Sequence, residues 1–234
     1  MKNLASFVLT AFGVVSLANL LAVALQSQAG VYLTKPLLLV TLSLWFYLRT
    51  KHQPTAFARF ILGGLICSIA GDTFLMFHRP GAEQFFLFGL GSFLVAHLFY
   101  IAAFLKYPGL KKGAVAKNGW WAAPLLFFLA WFSWFLWDDL PRAFKIPVVV
   151  YATVIVTMAL TCLNMKDRIT APAFQILFSG ALLFVLSDSL IALTSFKYPD
   201  FPAIPARLSI MITYLAGQFL IATGALKTLN PPTQ

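Results

Sequence analysis

Eight apolar runs, each close to the length needed to cross a bilayer, take up nearly the whole chain. A membrane-spanning helix needs about 20 residues, and the runs cover about 4–25, 31–48, 57–77, 84–105, 118–137, 145–163, 172–195 and 206–228. Of the 234 residues, 60% are hydrophobic and 10% charged, with a mean hydropathy of +0.85. A soluble domain carries about 25% charged residues, so no soluble fold hides this much apolar surface. The chain reads as an all-α polytopic membrane protein, one integral membrane domain over residues 1–234. Proline and glycine mark the joints: Gly30, Pro54, Pro80-Gly81, Pro108-Gly109, Pro141, Pro172, Pro199 to Pro205 and Pro231-Pro232.

Charge in the joints sets an expected orientation. Lys2, Arg49, Lys51, Arg59, Lys106, Lys111, Lys112, Lys117, Lys166, Arg168 and Lys227, eleven in all, fall on the side of the amino terminus. Arg79, Arg142, Lys145, Lys197 and Arg207, five in all, fall on the other. The positive-inside rule then puts both termini in the cytoplasm, with a bacterial inner membrane as the expected location. The net charge of +10 does not imply nucleic acid, because the basic residues sit in short loops where they meet lipid headgroups. Ala22-Val23-Ala24 resembles a cleavage site, but the apolar stretch from Leu4 to Leu25 is longer than a signal core of roughly 7–15 residues, so a retained first helix is expected. Cys67 and Cys162 fall inside apolar runs, which argues against a disulfide framework.

Two of these runs carry an acid. Gly64 precedes Asp72 by eight residues, and Gly180 precedes Asp188 by the same interval. An ionised side chain at membrane depth costs several kcal/mol, which makes each acid a functional-site candidate. At about 1.5 Å per residue, Asp72 lies about 8 Å before the outer end of span three and Asp188 about 10 Å before that of span seven. Lys35 lies about 6 Å into span two, Tyr151 about 9 Å into span six and Tyr214 about 12 Å into span eight. Five polar residues from five spans therefore converge on one outer layer, with His97 and Gln218 deeper. Gly64, Ser68 and Asp72 share one helix face, as do Gly180, Phe184 and Asp188, with Ser187 adjacent. Small residues let helices approach closely, so these acids point into the bundle.

Each of these residues also has a plainer reading. An acid can bond neighbouring helices, and Lys35, just before Pro36, can snorkel from an outer first turn. His97 and Tyr100 share a face three residues apart, but a lone histidine is more often a bonded core residue than a ligand. No pair of histidines has zinc-ligand spacing, and neither metal nor cofactor is expected. Trp120, Trp121, Trp131, Trp134 and Trp137 crowd span five and read as interfacial, lipid-facing bulk. Gly64 and Asp72 align with Gly180 and Asp188, and in the spans that follow His97 and Lys106 align with Gln218 and Lys227, each pair nine residues apart. That suggests a four-plus-four parallel repeat around a central cavity, unless apolar helices merely resemble one another. No G-x-S-x-G elbow, P-loop or G-x-G-x-x-G is present, which disfavours a serine hydrolase or a nucleotide enzyme.

An ordered set of motifs adds a resemblance. Lys35-Pro36, Gly71-Asp72-x-x-Leu75-Met76, Gly89, Phe93 with Ala96-His97-x-x-Tyr100, Pro147, Tyr151 with Met158, Gly180 to Asp188, and Tyr214-x-x-x-Gln218 occur in order. The set, from about residue 31 to 225, is similar to the YhhN family of membrane proteins, which includes the lysoplasmalogenases. The Pro-rich stretch Phe196 to Pro205 departs from the family pattern. The resemblance implies an eight-helix enzyme that hydrolyses the vinyl ether bond of a lysoplasmalogen or related lysolipid to a fatty aldehyde and a glycerophospho-base. Its partners would be a lysophospholipid, water and membrane lipids. Vinyl ether cleavage needs a general acid, a general base and negative charge beside an oxocarbenium ion, which two carboxylates can supply, as in glycoside hydrolysis. Asp72 and Asp188 are then the expected catalytic pair, their separate roles open. Lys35, His97, Tyr100, Tyr151, Ser187, Tyr214 and Gln218 are the expected substrate-binding set. A proton-coupled transporter, in which paired acids relay protons, is the competing class, and a structural scaffold is a third.

Overall fold

The computed structural model describes residues 2–52, 54–79, 81–82 and 84–230; the expected joints at Pro80 and Pro231-Pro232 lie outside the described residues. The chain is all-helical among the described residues. The long helices are α1 (Lys2–Ala24), α2 (Gln28–Thr50), α3 (Ala56–Met76) and α4 (Gln84–Lys106). A short α5 (Ala114–Lys117) leads through one tight turn, Gly119–Ala122, into α6 (Ala123–Leu136). Then follow α7 (Arg142–Leu163), α8 (Ala171–Ala192) and α9 (Ala203–Leu229). All but α5 are long and apolar enough to cross a membrane, α6 together with the turn before it.

Helix starts follow local chemistry. The Thr55 hydroxyl accepts from the Ala58 amide at 3.1 Å and caps α3, which satisfies a donor the first turn would otherwise leave bare. Ser27 caps α2 in the same way, through the Gly30 amide. This cap corrects two expectations. Gly30 lies inside the first turn of α2 and is not a joint. Lys35-Pro36 is not an outer first turn either: Pro36 is interior to α2, and Lys35 lies about two turns in, near 10 Å. The polar Ser27-Gln28 pair starts the helix before the apolar run does. The Pro-rich stretch after α8 opens with a wide π-helical turn, Leu193–Lys197, held to the α6–α7 loop by a 2.5 Å ion pair between Lys197 and Asp139.

The two closest-packed pairs are α3 with α4 and α8 with α9. Glycines make the approach possible. A Cβ on Gly64 would lie 2.4 Å from the Tyr100 ring, and one on Gly180 would lie 2.7 Å from the Ile221 amide nitrogen. The offset that pairs His97 with Gln218 also pairs Tyr100 with Ile221, so in both halves the glycine eight residues before the acid meets the corresponding residue of the next helix. Helix α6 packs chiefly on α7; Trp134 on it is 74% exposed, and Trp120, in the turn before it, is 82% exposed. Both cysteines are free.

Because backbone atoms meet Gly180, a methyl group there cannot be absorbed by side-chain rotation. Gly180→Ala is expected to destabilise the protein by about 1–3 kcal/mol, the usual overpacking range. Gly91→Ala, where nothing lies within 4 Å, is expected to be neutral or slightly stabilising. Thermal unfolding in detergent, comparing the two variants, checks this.

Candidate active site

The polar residues gather toward the end of the bundle away from the amino terminus. Asp72, on α3, is buried. The Tyr214 hydroxyl of α9 donates to its Oδ2 at 2.7 Å, and the Lys35 ammonium of α2 lies 3.8 Å from its Oδ1. Asp188, on α8, is more open, its side chain 12% exposed. The Tyr151 hydroxyl of α7 donates to its Oδ2. His97 Nε2, on α4, lies 3.0 Å from the Tyr151 oxygen and 3.6 Å from Asp188 Oδ2. Each acid thus takes one partner from the helix before it and one from the last helix of the other half. A buried carboxylate left unpaired would cost several kcal/mol, and these contacts offset that.

Aromatic rings separate the two groups. Phe93, Phe184 and Tyr214 pack edge to face, with centroids 5.5–6.1 Å apart. The His97 ring meets Phe184 edge-on at 4.7 Å.

One turn deeper, a second chain joins three helices. The Tyr100 hydroxyl donates to Gln218 Oε1 at 2.7 Å, Gln218 Nε2 donates to Ser68 Oγ at 3.0 Å, and Ser68 Oγ donates to the Gly64 carbonyl at 2.9 Å. All three side chains are fully buried. Ser187 donates to the Ile210 carbonyl of α9 at 3.2 Å. Of the nine expected site residues, the structure therefore groups Lys35, Asp72 and Tyr214, and separately His97, Tyr151 and Asp188. Tyr100, Gln218 and Ser187 are engaged in helix-to-helix bonds.

A pocket with an empty volume of about 430 Å³ reaches Asp188 and Tyr151. Its remaining lining is apolar: Leu75, Phe86, Leu90, Phe93, Val148, Ile191, Ala192 and Phe196. Asp72 does not line it, so the two acids do not share this pocket. Phe86, Phe144 and Phe196, from α4, α7 and the turn after α8, pack with centroids 5.5–5.7 Å apart beside it. Apart from Leu75 and Phe93, which stand in the motif blocks, these wall residues carried no sequence signal. No group of three or more His, Cys, Asp or Glu side chains gathers among the described residues.

Fold and site together define a class: a polytopic helical membrane protein with two separately bonded intramembrane acids, one of them bordering a pocket walled by hydrocarbon side chains. The chain belongs to the YhhN family, whose model matches residues 30–225. It is 34% identical to lysoplasmalogenase TMEM86A of Bos taurus over 185 residues, 76% of this chain and 69% of that protein. It is 31% identical to lysoplasmalogenase TMEM86B of Mus musculus, over 84% of this chain and 74% of that protein. A lysoplasmalogenase of Mycobacterium tuberculosis (strain CDC 1551 / Oshkosh) is 32% identical over 71% of this chain and 60% of its own length. No solved structure matches the chain.

The deeper chain allows a stability test. Gln218→Leu leaves the buried Tyr100 hydroxyl without its acceptor, which costs about 1–3 kcal/mol. The unfolding midpoint of this variant in detergent is expected to fall below that of the wild type.

Proposed function

We propose that this protein is a lysoplasmalogenase, hydrolysing the vinyl ether bond of a lysoplasmalogen or related lysolipid, with Asp188 as the group that meets the substrate. The observation that carries the proposal is a lone carboxyl in a pocket otherwise lined by a tyrosine and apolar side chains, in a chain whose relatives bear that name. The apolar lining suits a hydrocarbon chain, since ligand sites are mostly apolar with a few placed polar groups.

The reaction runs in three steps. Protonated Asp188 gives its proton to the outer vinyl carbon, and the double-bond electrons form that C–H bond. The inner carbon becomes an oxocarbenium ion. Water adds to this carbon and returns a proton to the Asp188 carboxylate. The resulting hemiacetal then breaks its bond to the glycerol oxygen, which keeps the electron pair and takes up the hydroxyl proton. The products are a fatty aldehyde and a glycerophospho-base, and Asp188 ends protonated as it began. Asp72, held by Lys35 and Tyr214, stays ionised and supplies negative charge from behind the ring layer, where the apolar surroundings screen it little.

A proton-coupled transporter would use the same acids, but it predicts no chemistry without a membrane gradient. The test is aldehyde release from a lysoplasmalogen by purified protein in detergent. Asp188→Asn is expected to lower kcat by at least about 100-fold, the smaller end of what a positioned acid contributes. Asp72→Asn is expected to lower it by about 100-fold through the lost charge. Normal turnover in either variant removes that residue from the mechanism.

We propose a bacterial inner membrane as the location, and the charge bias of the loops supports both termini lying in the cytoplasm. A carboxy-terminal green fluorescent protein fusion is then expected to fluoresce. A dark fusion beside an active periplasmic reporter at the same position would reverse the orientation.

A further inference from the structure

We propose that His97 is a positioning residue for Asp188, acting through Tyr151 as a neutral hydrogen-bond donor. This rests on the reading of Asp188 as the group that meets the substrate.

The argument starts from proton counting. Tyr151 has one hydroxyl proton, and it goes to Asp188 Oδ2. Its oxygen is then an acceptor toward His97, so Nε2, 3.0 Å away, must be the donor. That places the ring proton on Nε2 and leaves Nδ1 as a bare acceptor. Nδ1 is buried and has no hydrogen-bond partner, which agrees with this tautomer. The opposite tautomer would bury an N–H with nothing to accept it, at a cost of about 1–3 kcal/mol. An imidazolium would carry the same orphan N–H. The donors therefore run one way, from His97 to Tyr151 to Asp188 Oδ2.

That direction has a chemical consequence. With Oδ2 occupied, Oδ1 is the oxygen left to carry the catalytic proton, since no hydrogen bond to it occurs among the described residues. The carboxyl cannot turn over without breaking the Tyr151 bond, and Tyr151 cannot turn its hydroxyl away without breaking the His97 bond. The other charged and titratable groups nearby, Asp72, Lys35 and Tyr214, bond to one another and not to Asp188. Gln218 shows what a purely helix-bridging residue looks like at the matching position of the other half. It is bonded at both ends of its amide. His97 leaves one nitrogen bare, so bridging helices does not account for it.

The test uses the whole protein in detergent, with a lysoplasmalogen and aldehyde release as the readout. In His97→Gln the amide nitrogen falls where Nε2 was, and in His97→Asn it falls only where Nδ1 was. His97→Asn is expected to lower kcat by about tenfold or more at nearly unchanged KM. His97→Gln is expected to restore most of that loss. Tyr151→Phe removes the link, and adding His97→Asn to it is expected to cost nothing further. Equal kcat values in the Gln and Asn variants, or losses that add in the double variant, overturn the proposal. If the Asn variant does not fold, as read by its unfolding midpoint, Tyr151→Phe decides alone: an unchanged kcat overturns it. A wild-type protein that releases no aldehyde overturns the lysoplasmalogenase reading and this proposal with it. An active wild type, an inactive Asp188→Asn and indifferent His97 variants would overturn this proposal alone.

Discussion

Two carboxyl groups held inside an apolar bundle are the constraint from which the rest follows. Each must find donors or carry a penalty of several kcal/mol. The donors come from other helices, because a helix satisfies its own backbone and has few spare hydrogen-bonding groups in these spans. Meeting that need draws α2, α3 and α9 around Asp72, and α4, α7 and α8 around Asp188. Helices α1 and α6 supply none of these contacts. They add apolar surface against the bundle and the lipid.

The two acids hold matching places in their helices and have unlike surroundings. Asp72 has a cation and a phenol hydroxyl, and its side chain is 4% exposed. Asp188 has the Tyr151 hydroxyl as its donor, with His97 behind it, and it borders a pocket. Two carboxyls in unequal settings can divide acid and electrostatic roles between them, as paired carboxyls do in glycoside hydrolysis. The ring layer of Phe93, Phe184 and Tyr214 keeps them apart.

Much of this architecture was legible in the chain, because a bilayer allows few solutions and each leaves a long apolar mark. The extents of the spans and the single layer holding Lys35, Asp72, Tyr151, Asp188 and Tyr214 follow from run length and helical rise. The depth of Lys35 was misjudged, since a serine cap extends α2 by a turn of polar residues that hydropathy does not register. Which donor meets which acid was not legible. Spacing fixes the face of one helix but not the neighbour across the gap. For the same reason, Tyr100, Ser187 and Gln218 looked like pocket residues, although their polar atoms close helix seams. The phenylalanine wall was invisible because 24 phenylalanines crowd this chain and those lining a pocket look no different from the others.

The glycine contacts bear on how a long molecule could get in. Where the α8 and α9 backbones touch at Gly180, Gly217 and Gly224, neither helix can slide or part without tearing a run of close contacts. The α3 and α4 pair is similarly locked by aromatic rings set against Gly64 and Gly71. The frame is stiff on both flanks, so its mouth widens by other means. Phe86, Phe144 and Phe196 come from three separate elements, one of them a five-residue wide turn. An incoming tail would be threaded between swivelling rings, with the helices behind them standing still.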